Sequence, residues 1–329
     1  MRPFEYLRAA DAAQAVALVG ADPDASYLAG GTTQLDLMKD GVFEPERLVD
    51  ITRLPLGGIT HTGTSIRVGA LTSMEELAAD PVVRERLPFV REALLLGAST
   101  QLRNMATIGG NLLQRARCRY FRDPTVAACN KRAPGSGCAA ITGAHRMHAI
   151  LGTSDHCIAL HASDVAVPLV ALDALVHVQG ADGVRTIPLT RFYLPPGETP
   201  NIENTLVRGE LITAVEIPLP PRGTRSHYLK VRDRVSYEFA LTSAGAALIM
   251  DDGVIAEARV ALGGVGTIPW RAWDAEDVLR GSAPGGEVFR SAAEAALTGA
   301  RPLPGTAFKV ELAERTLVRA LETAAGAGS

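Results

Sequence analysis

Apolar residues recur along this chain with two periods, near 3.6 and near 2, and the switch between them divides it into elements. Asp11 stands at the N-cap position of a helical pattern running to about Val19, and Ala25 to Ala29 reads as a short buried strand. Gly30 and Gly31 interrupt the pattern before Leu35-Asp-Leu-Met38 resumes it as a helix. Ile66 to Ala70 predicts a strand, Thr72 and Glu75 have the spacing of a capping box, and Val83 to Leu96 carries helical spacing. Ala166 opens an apolar helix; Ala174 to Val178 reads as a strand that Asp182-Gly183 turns into Val184 to Pro188, a hairpin. Tyr193 to Pro200 is a proline-rich surface connection, and Glu210 to Pro218 is a strand stopped by its proline. Beyond Pro218 to Arg225, His227 to Arg232, Ala244 to Met250 and Ile255 to Leu262 predict strands. Glu287 to Leu297 and Phe308 to Ala324 predict amphipathic helices.

Strands with helices gathered on one face give an α+β class, with a domain boundary near residue 222. Composition narrows the picture. With 47% hydrophobic and 21% charged residues the chain buries a large core, and a net charge of −3 leaves no basic footprint, so nucleic acid is not an expected partner. No run of eighteen apolar residues occurs and Met1-Arg-Pro-Phe-Glu lacks an apolar signal core. The expectation is no membrane insertion and no export signal of its own, hence a cytoplasmic location by default.

Three stretches carry chemistry. Gly30-Gly31-Thr32-Thr33-Gln34 joins a strand to a helix, where glycine lets backbone approach an anion and amides and hydroxyls face it. A tight strand-to-helix turn explains the same residues without a ligand. Thr107-Ile-Gly-Gly-Asn111 repeats the logic, and two such turns suit a long diphosphate ligand. Gly135-Ser-Gly-Cys-Ala-Ala140 matches a dinucleotide fingerprint by letter only, since no strand precedes it. The third stretch holds all four cysteines, Cys118, Cys129, Cys138 and Cys157, with ten, eight and eighteen residues between them. Clustered thiolates suit a soft metal centre. Two disulfides compete, although a chain of 329 residues needs no such staples. Structural zinc competes too, although zinc sites favour tighter Cys-x2-4-Cys pairs. His145, His148 and His156 lie close enough in sequence to ligate or to support the ligands.

Ala29-Gly-Gly-Thr32, Thr107 to Asn111, Ser163-Asp164, Gly209-Glu-Leu-Ile212, Lys230-Val-Arg-Asp-Arg234 and Ala261-Leu-Gly-Gly264 occur in series over nearly the whole chain. Together they resemble the FAD-binding medium subunit of the xanthine dehydrogenase and carbon monoxide dehydrogenase family of molybdenum hydroxylases. The cysteine insertion, from Cys129-Asn-Lys-Arg through Pro134 to Ala140, is absent from most members. It is similar to that of the periplasmic aldehyde oxidoreductases of the family and, more loosely, of 4-hydroxybenzoyl-CoA reductase, where such cysteines hold a 4Fe-4S cluster.

The resemblance implies a two-part FAD-binding domain of the vanillyl-alcohol-oxidase/PCMH-like type over 1–222. Its lobes would be about 1–57 and 58–222, with an iron-sulfur loop at 114–162; an α+β domain of the CO dehydrogenase flavoprotein type would follow over 223–329. It implies that Leu28, Ala29, Gly30, Gly31, Thr32, Thr33, Gln34 and Leu35 wrap the FAD diphosphate, helped by Thr107, Gly109, Gly110 and Asn111. Asp164 would bind a polar part of the cofactor, Ile212 and Lys230 would lie near the isoalloxazine, and Cys118, Cys129, Cys138 and Cys157 would hold the cluster. Read without the resemblance, Ile212 is core, Lys230 a solvated strand-edge charge and Asp164 a helix cap. The implied partners are a small 2Fe-2S subunit and a large molybdopterin subunit, with electrons leaving FAD for an external acceptor; export with a twin-arginine partner would place the complex in the periplasm. No Ser-His-Asp set, HExxH or Walker lysine loop competes for the chemistry. A stand-alone flavin oxidoreductase, or a subunit of a related xanthine or hydroxybenzoyl-CoA enzyme, is the alternative function, and a zinc-stapled assembly subunit is a third.

Overall fold

The computed structural model describes residues 1–326 and arranges them around three sheets. The first is parallel, in the order β1 (Glu5–Arg8), β3 (Arg47–Asp50), β2 (Ala25–Leu28). Its helix, Ala12–Ala21, is capped by Asp11, whose carboxylate accepts from the Gln14 amide at 2.7 Å, and Ala15, Val16 and Val19 face inward. β1 and β3 escape the sequence pattern. They are four residues long, each two apolar residues between charged ends, too short for a period to register.

The second sheet is antiparallel, ordered β4 (Ile59–His61), β5 (Ser65–Gly69), β8 (Leu211–Pro218), β6 (Leu175–Gly180), β7 (Gly183–Pro188). The predicted hairpin is β6–β7, closed by Gly183 at φ +120°. The capping box falls one residue later than the spacing suggested. Ser73 caps the helix Met74–Ala79 and Glu76 accepts from the Ser73 amide at 2.7 Å, while Thr72 donates to the Gly58 carbonyl and Glu75 pairs with Arg103. The single helix expected over Val83 to Leu96 is two, Pro81–Arg86 and Pro88–Leu96, because Pro88 has no amide to continue the ladder. Within the proline-rich connection, Tyr193 is buried and donates to the Leu112 carbonyl at 3.0 Å.

The third sheet is also antiparallel, ordered β12 (Trp270–Arg271), β11 (Val254–Gly263), β10 (Thr242–Asp251), β9 (Arg225–Val231). Helices Trp273–Leu279 and Phe308–Ala325 pack on it, with Gly286–Ala296 against both, sharing one core through Leu279, Phe289, Ala313, Leu317 and Leu321. The first of these went unread. Among the described residues, no helix is long and apolar enough to cross a membrane.

The turn after β2 meets the helix Thr100–Met105 at Gly30. A Cβ there would overlap the Met105 carbonyl oxygen at the end of helix Thr100–Met105. Both sides of that contact are backbone, so neither can swing aside. Gly30→Ala is expected to cost about 3 kcal/mol in thermal unfolding, whereas Gly57→Ala, where an added Cβ meets nothing within 4 Å, serves as the near-neutral control.

Candidate functional site

Two cavities, of about 290 and about 270 Å³, lie back to back and share Thr32, Thr33 and Gly110 in their walls. The first takes in Ala29, Gly30, Gly31, Gln34, Thr107, Gly109 and Ile212. The second takes in Asn111, Asp164 and Lys230. Of the residues expected to bind the cofactor, Leu28 and Leu35 line neither; their side chains pack against Gly31, which turns the chain at φ +72°. Ile212 and Lys230, expected beside the same ring, face different cavities.

The two glycine turns differ in what they offer. The amides of Gly30 to Thr33 donate to no acceptor among the described residues, and the Gln34 side-chain amide is buried without a partner. Free donors facing a cavity are what an anion needs. The amides of the second turn are already engaged: Ile108 with the Thr72 carbonyl (2.9 Å), Gly109 with that of Ala70 (2.9 Å), Asn111 with that of Thr107 (2.8 Å), and Gly110 with Thr107 Oγ1 (3.3 Å). Its glycines serve close approach instead, since a Cβ on Gly109 would stand 2.9 Å from that of Ala70. Asn111 ties the cavity floor together, accepting from Ser163 Oγ (2.6 Å) and from Gln114 Nε2 (3.1 Å).

Asp164 and Lys230 are neither a cap nor a solvated charge. Their side chains are 10% and 1% exposed and pair at 2.8 Å, with Tyr228 donating to the other carboxylate oxygen at 2.8 Å and Lys230 also reaching the Leu96 carbonyl at 3.1 Å. Burial pushes the Asp164 carboxyl up, against the pull of Lys230 and Tyr228. The helix after Asp164 takes its side-chain acceptor from Ser163, whose Oγ accepts from the Ala166 amide at 3.1 Å.

Sequence reasoning missed Arg115, Arg117, Gln114 and Phe239. Arg115 faces the first cavity; the other three face the second. They belong to a segment read as the start of the cysteine loop and to the bend after β9, and no motif marks them.

The four cysteines are free, which removes the disulfide reading. Cys118, Cys129 and Cys157 share one apolar cluster with Leu37, Ala116 and Phe121. Cys129 and Cys138 face each other across a tight hairpin whose Gly135 and Gly137 have φ of +84° and +94°. Backbone amides donate to sulfur, Ala159 to Cys157 (3.5 Å) and Tyr120 and Phe121 to Cys118. Burial pushes the Cys118 thiol up to about 11 and Cys157 in the same direction, so only a bound cation would keep them as thiolates. Among the described residues, no three His, Cys, Asp or Glu side chains close on a single-ion site. Four cysteine sulfurs on one loop are, by their chemistry, the donors that iron–sulfur ligation uses. His148, held down to about 4 by burial and therefore neutral, places Nε2 3.2 Å from Cys118 Sγ. His145 bonds the Ala140 carbonyl and the Gly305 amide, and His156 is exposed.

Residues 2–220 match the family described as the FAD binding domain in molybdopterin dehydrogenase, and residues 227–324 match the CO dehydrogenase flavoprotein C-terminal domain. The chain belongs to the FAD-binding medium-subunit family of the molybdenum hydroxylases. It is 46% identical over 326 residues to the aldehyde oxidoreductase FAD-binding subunit PaoB of Escherichia coli, covering 98% of this chain and 99% of that one. It is 30% identical to the carbon monoxide dehydrogenase medium chain of Hydrogenophaga pseudoflava, covering 98% and 96%. The solved carbon monoxide dehydrogenase of that organism superposes with a TM-score of 0.78 at 27% identity, over 100% of this chain and 99% of its own. Quinoline 2-oxidoreductase of Pseudomonas putida 86 superposes with 0.76 at 25% identity, over 100% and 99%. The chain is thus an FAD-binding subunit of a molybdenum hydroxylase-type oxidoreductase, with the mixed α and β architecture expected of it.

Proposed function

We propose that this medium subunit carries FAD and a 4Fe-4S cluster in a molybdenum-containing aldehyde oxidoreductase and works as an electron-transfer subunit. Electrons would arrive from a large molybdopterin subunit through the 2Fe-2S clusters of a small subunit and leave for an external acceptor. The observation that carries the flavin site is the pair of cavities joined at Thr32, Thr33 and Gly110, with free amides at the join: the shape of a two-ended cofactor with an anion at its middle. The aldehyde assignment draws on the likeness to PaoB, named as an aldehyde oxidoreductase subunit.

Bound FAD would supply the storage of an electron pair. The chain's own residues do the rest. Amides from Gly30 to Thr33 hold the diphosphate, Ile212 forms an apolar wall for the ring in the first cavity, and Asp164, oriented by Lys230 and Tyr228, receives the adenosine end in the second. In this reading Lys230 positions Asp164, its ammonium being already engaged. Cys118, Cys129, Cys138 and Cys157 hold the cluster, with His148 beside Cys118. The connection Pro218 to Arg225 between β8 and β9 supports dividing the chain at 222. The compartment in this reading is the periplasm, reached together with an exported partner.

The purified complex is expected to show flavin absorption bands over a broad brown shoulder, with acid-labile sulfide beyond that of the small subunit. A colourless chain with stoichiometric zinc would remove this proposal, and a yellow chain oxidising substrate without partners would replace it with a lone flavin enzyme.

A further inference from the structure

The join between the cavities has free amides on one side only. A diphosphate there would bring two negative charges, and neither glycine turn contains a lysine or arginine. The helix that leaves the first turn, Gln34–Lys39, even places a carboxylate, Asp36, in its first turn, which a dianion at the join would oppose. A counter-charge has to come from elsewhere in the fold.

We infer that Arg117 supplies it, holding the diphosphate and thereby selecting FAD over flavins that lack one. This rests on the cleft being the flavin site. Arg117 lines the same cavity as Thr32, Thr33 and Gly110. Its Nη1 bonds Asp36 Oδ2 at 3.0 Å, an oxygen that Arg122 also bonds, so the opposing carboxylate is already neutralised, and the guanidinium lies 4.9 Å from the centre of the Phe239 ring. Its Nε is buried without a partner. A planar guanidinium with one edge on a carboxylate and another N–H unspent is arranged to take a second anion. Arg115, two residues earlier, lines the first cavity and is paired with Glu203.

The test uses the whole complex stripped of flavin and compares the affinities of FAD and riboflavin, which lacks phosphate. Arg117→Met is expected to weaken FAD roughly 10- to 100-fold, the range of a charge-assisted hydrogen bond, and to leave riboflavin within about twofold. Arg117→Lys restores part of the FAD affinity, and the salt dependence of FAD binding flattens in the methionine variant. FAD affinity within twofold of wild type would overturn the assignment, as would an equal loss for riboflavin, which marks Arg117 as a wall of the cavity only. If wild-type complex binds neither flavin, the flavin-site reading itself fails.

Discussion

Cys138→Ser is expected to strip the complex of its brown shoulder and of one cluster's worth of acid-labile sulfide while aldehyde still reduces the flavin. Cys138 sits half-buried at the mouth of the hairpin facing Cys129, and a serine there offers a hard, protonated oxygen where soft iron wants thiolate. The structural consequence should be as large. Between Ala116 and Ala159 the loop's own apolar cluster is small, and Leu37, Val42 and Phe43 from the helix Gln34–Lys39 and the turn after it supply part of it. Such a segment takes its order from its ligands, because binding free energy is folding free energy where no preformed core exists. The variant loop should therefore become protease-sensitive. Flavin reduction by substrate, followed in the intact complex with added FAD, separates the roles. Persistence within about twofold identifies the cluster as a folding element, and collapse with FAD still bound makes it an obligatory relay.

The parts of this fold that the sequence revealed are those where one local rule acts alone. Asp11 caps its helix because a carboxylate and a free amide three residues on need nothing else, and Gly183 marks its hairpin because few other residues take its backbone angles. The family motifs, being motifs in series, led to both walls of the cleft. What stayed hidden is what tertiary packing decides. Arg117 reads as the approach to Cys118 until the fold turns it into the cleft. The second glycine turn looks like a twin of the first, yet its amides are spent on Ala70, Thr72 and Thr107, and pairing of that kind cannot be read from residue types. Lys230 shows the same limit. A lysine on a strand is usually solvated, and only the placement of Asp164, 66 positions earlier, buries it.

That pair leads to the other large effect expected. Asp164→Ala should destabilise the chain by about 3–5 kcal/mol, the range for removing one partner of a buried ion pair. The carboxylate accepts from Lys230 at 2.8 Å and from Tyr228 at 2.8 Å, so alanine leaves an ammonium and a phenol unsatisfied in a nearly dry site. The Leu96 carbonyl, at 3.1 Å, gives Lys230 a dipole and no counter-charge. Because Asp164 and Lys230 line the second cavity, the loss should appear as a lowered unfolding temperature, on the order of 10 °C, and as weakened retention of FAD. Removing the stranded charge as well discriminates between a pairing effect and a simple hole. If pairing dominates, Asp164→Ala with Lys230→Met should recover a substantial part of the unfolding temperature, because an apolar pair of similar volume carries no desolvation cost. Flavin retention should not recover with it, since Asp164 is also the group assigned to the adenosine end. A double variant no more stable than Asp164→Ala would show that the site depends on shape, and the ion pair would lose its place as the determinant of stability there.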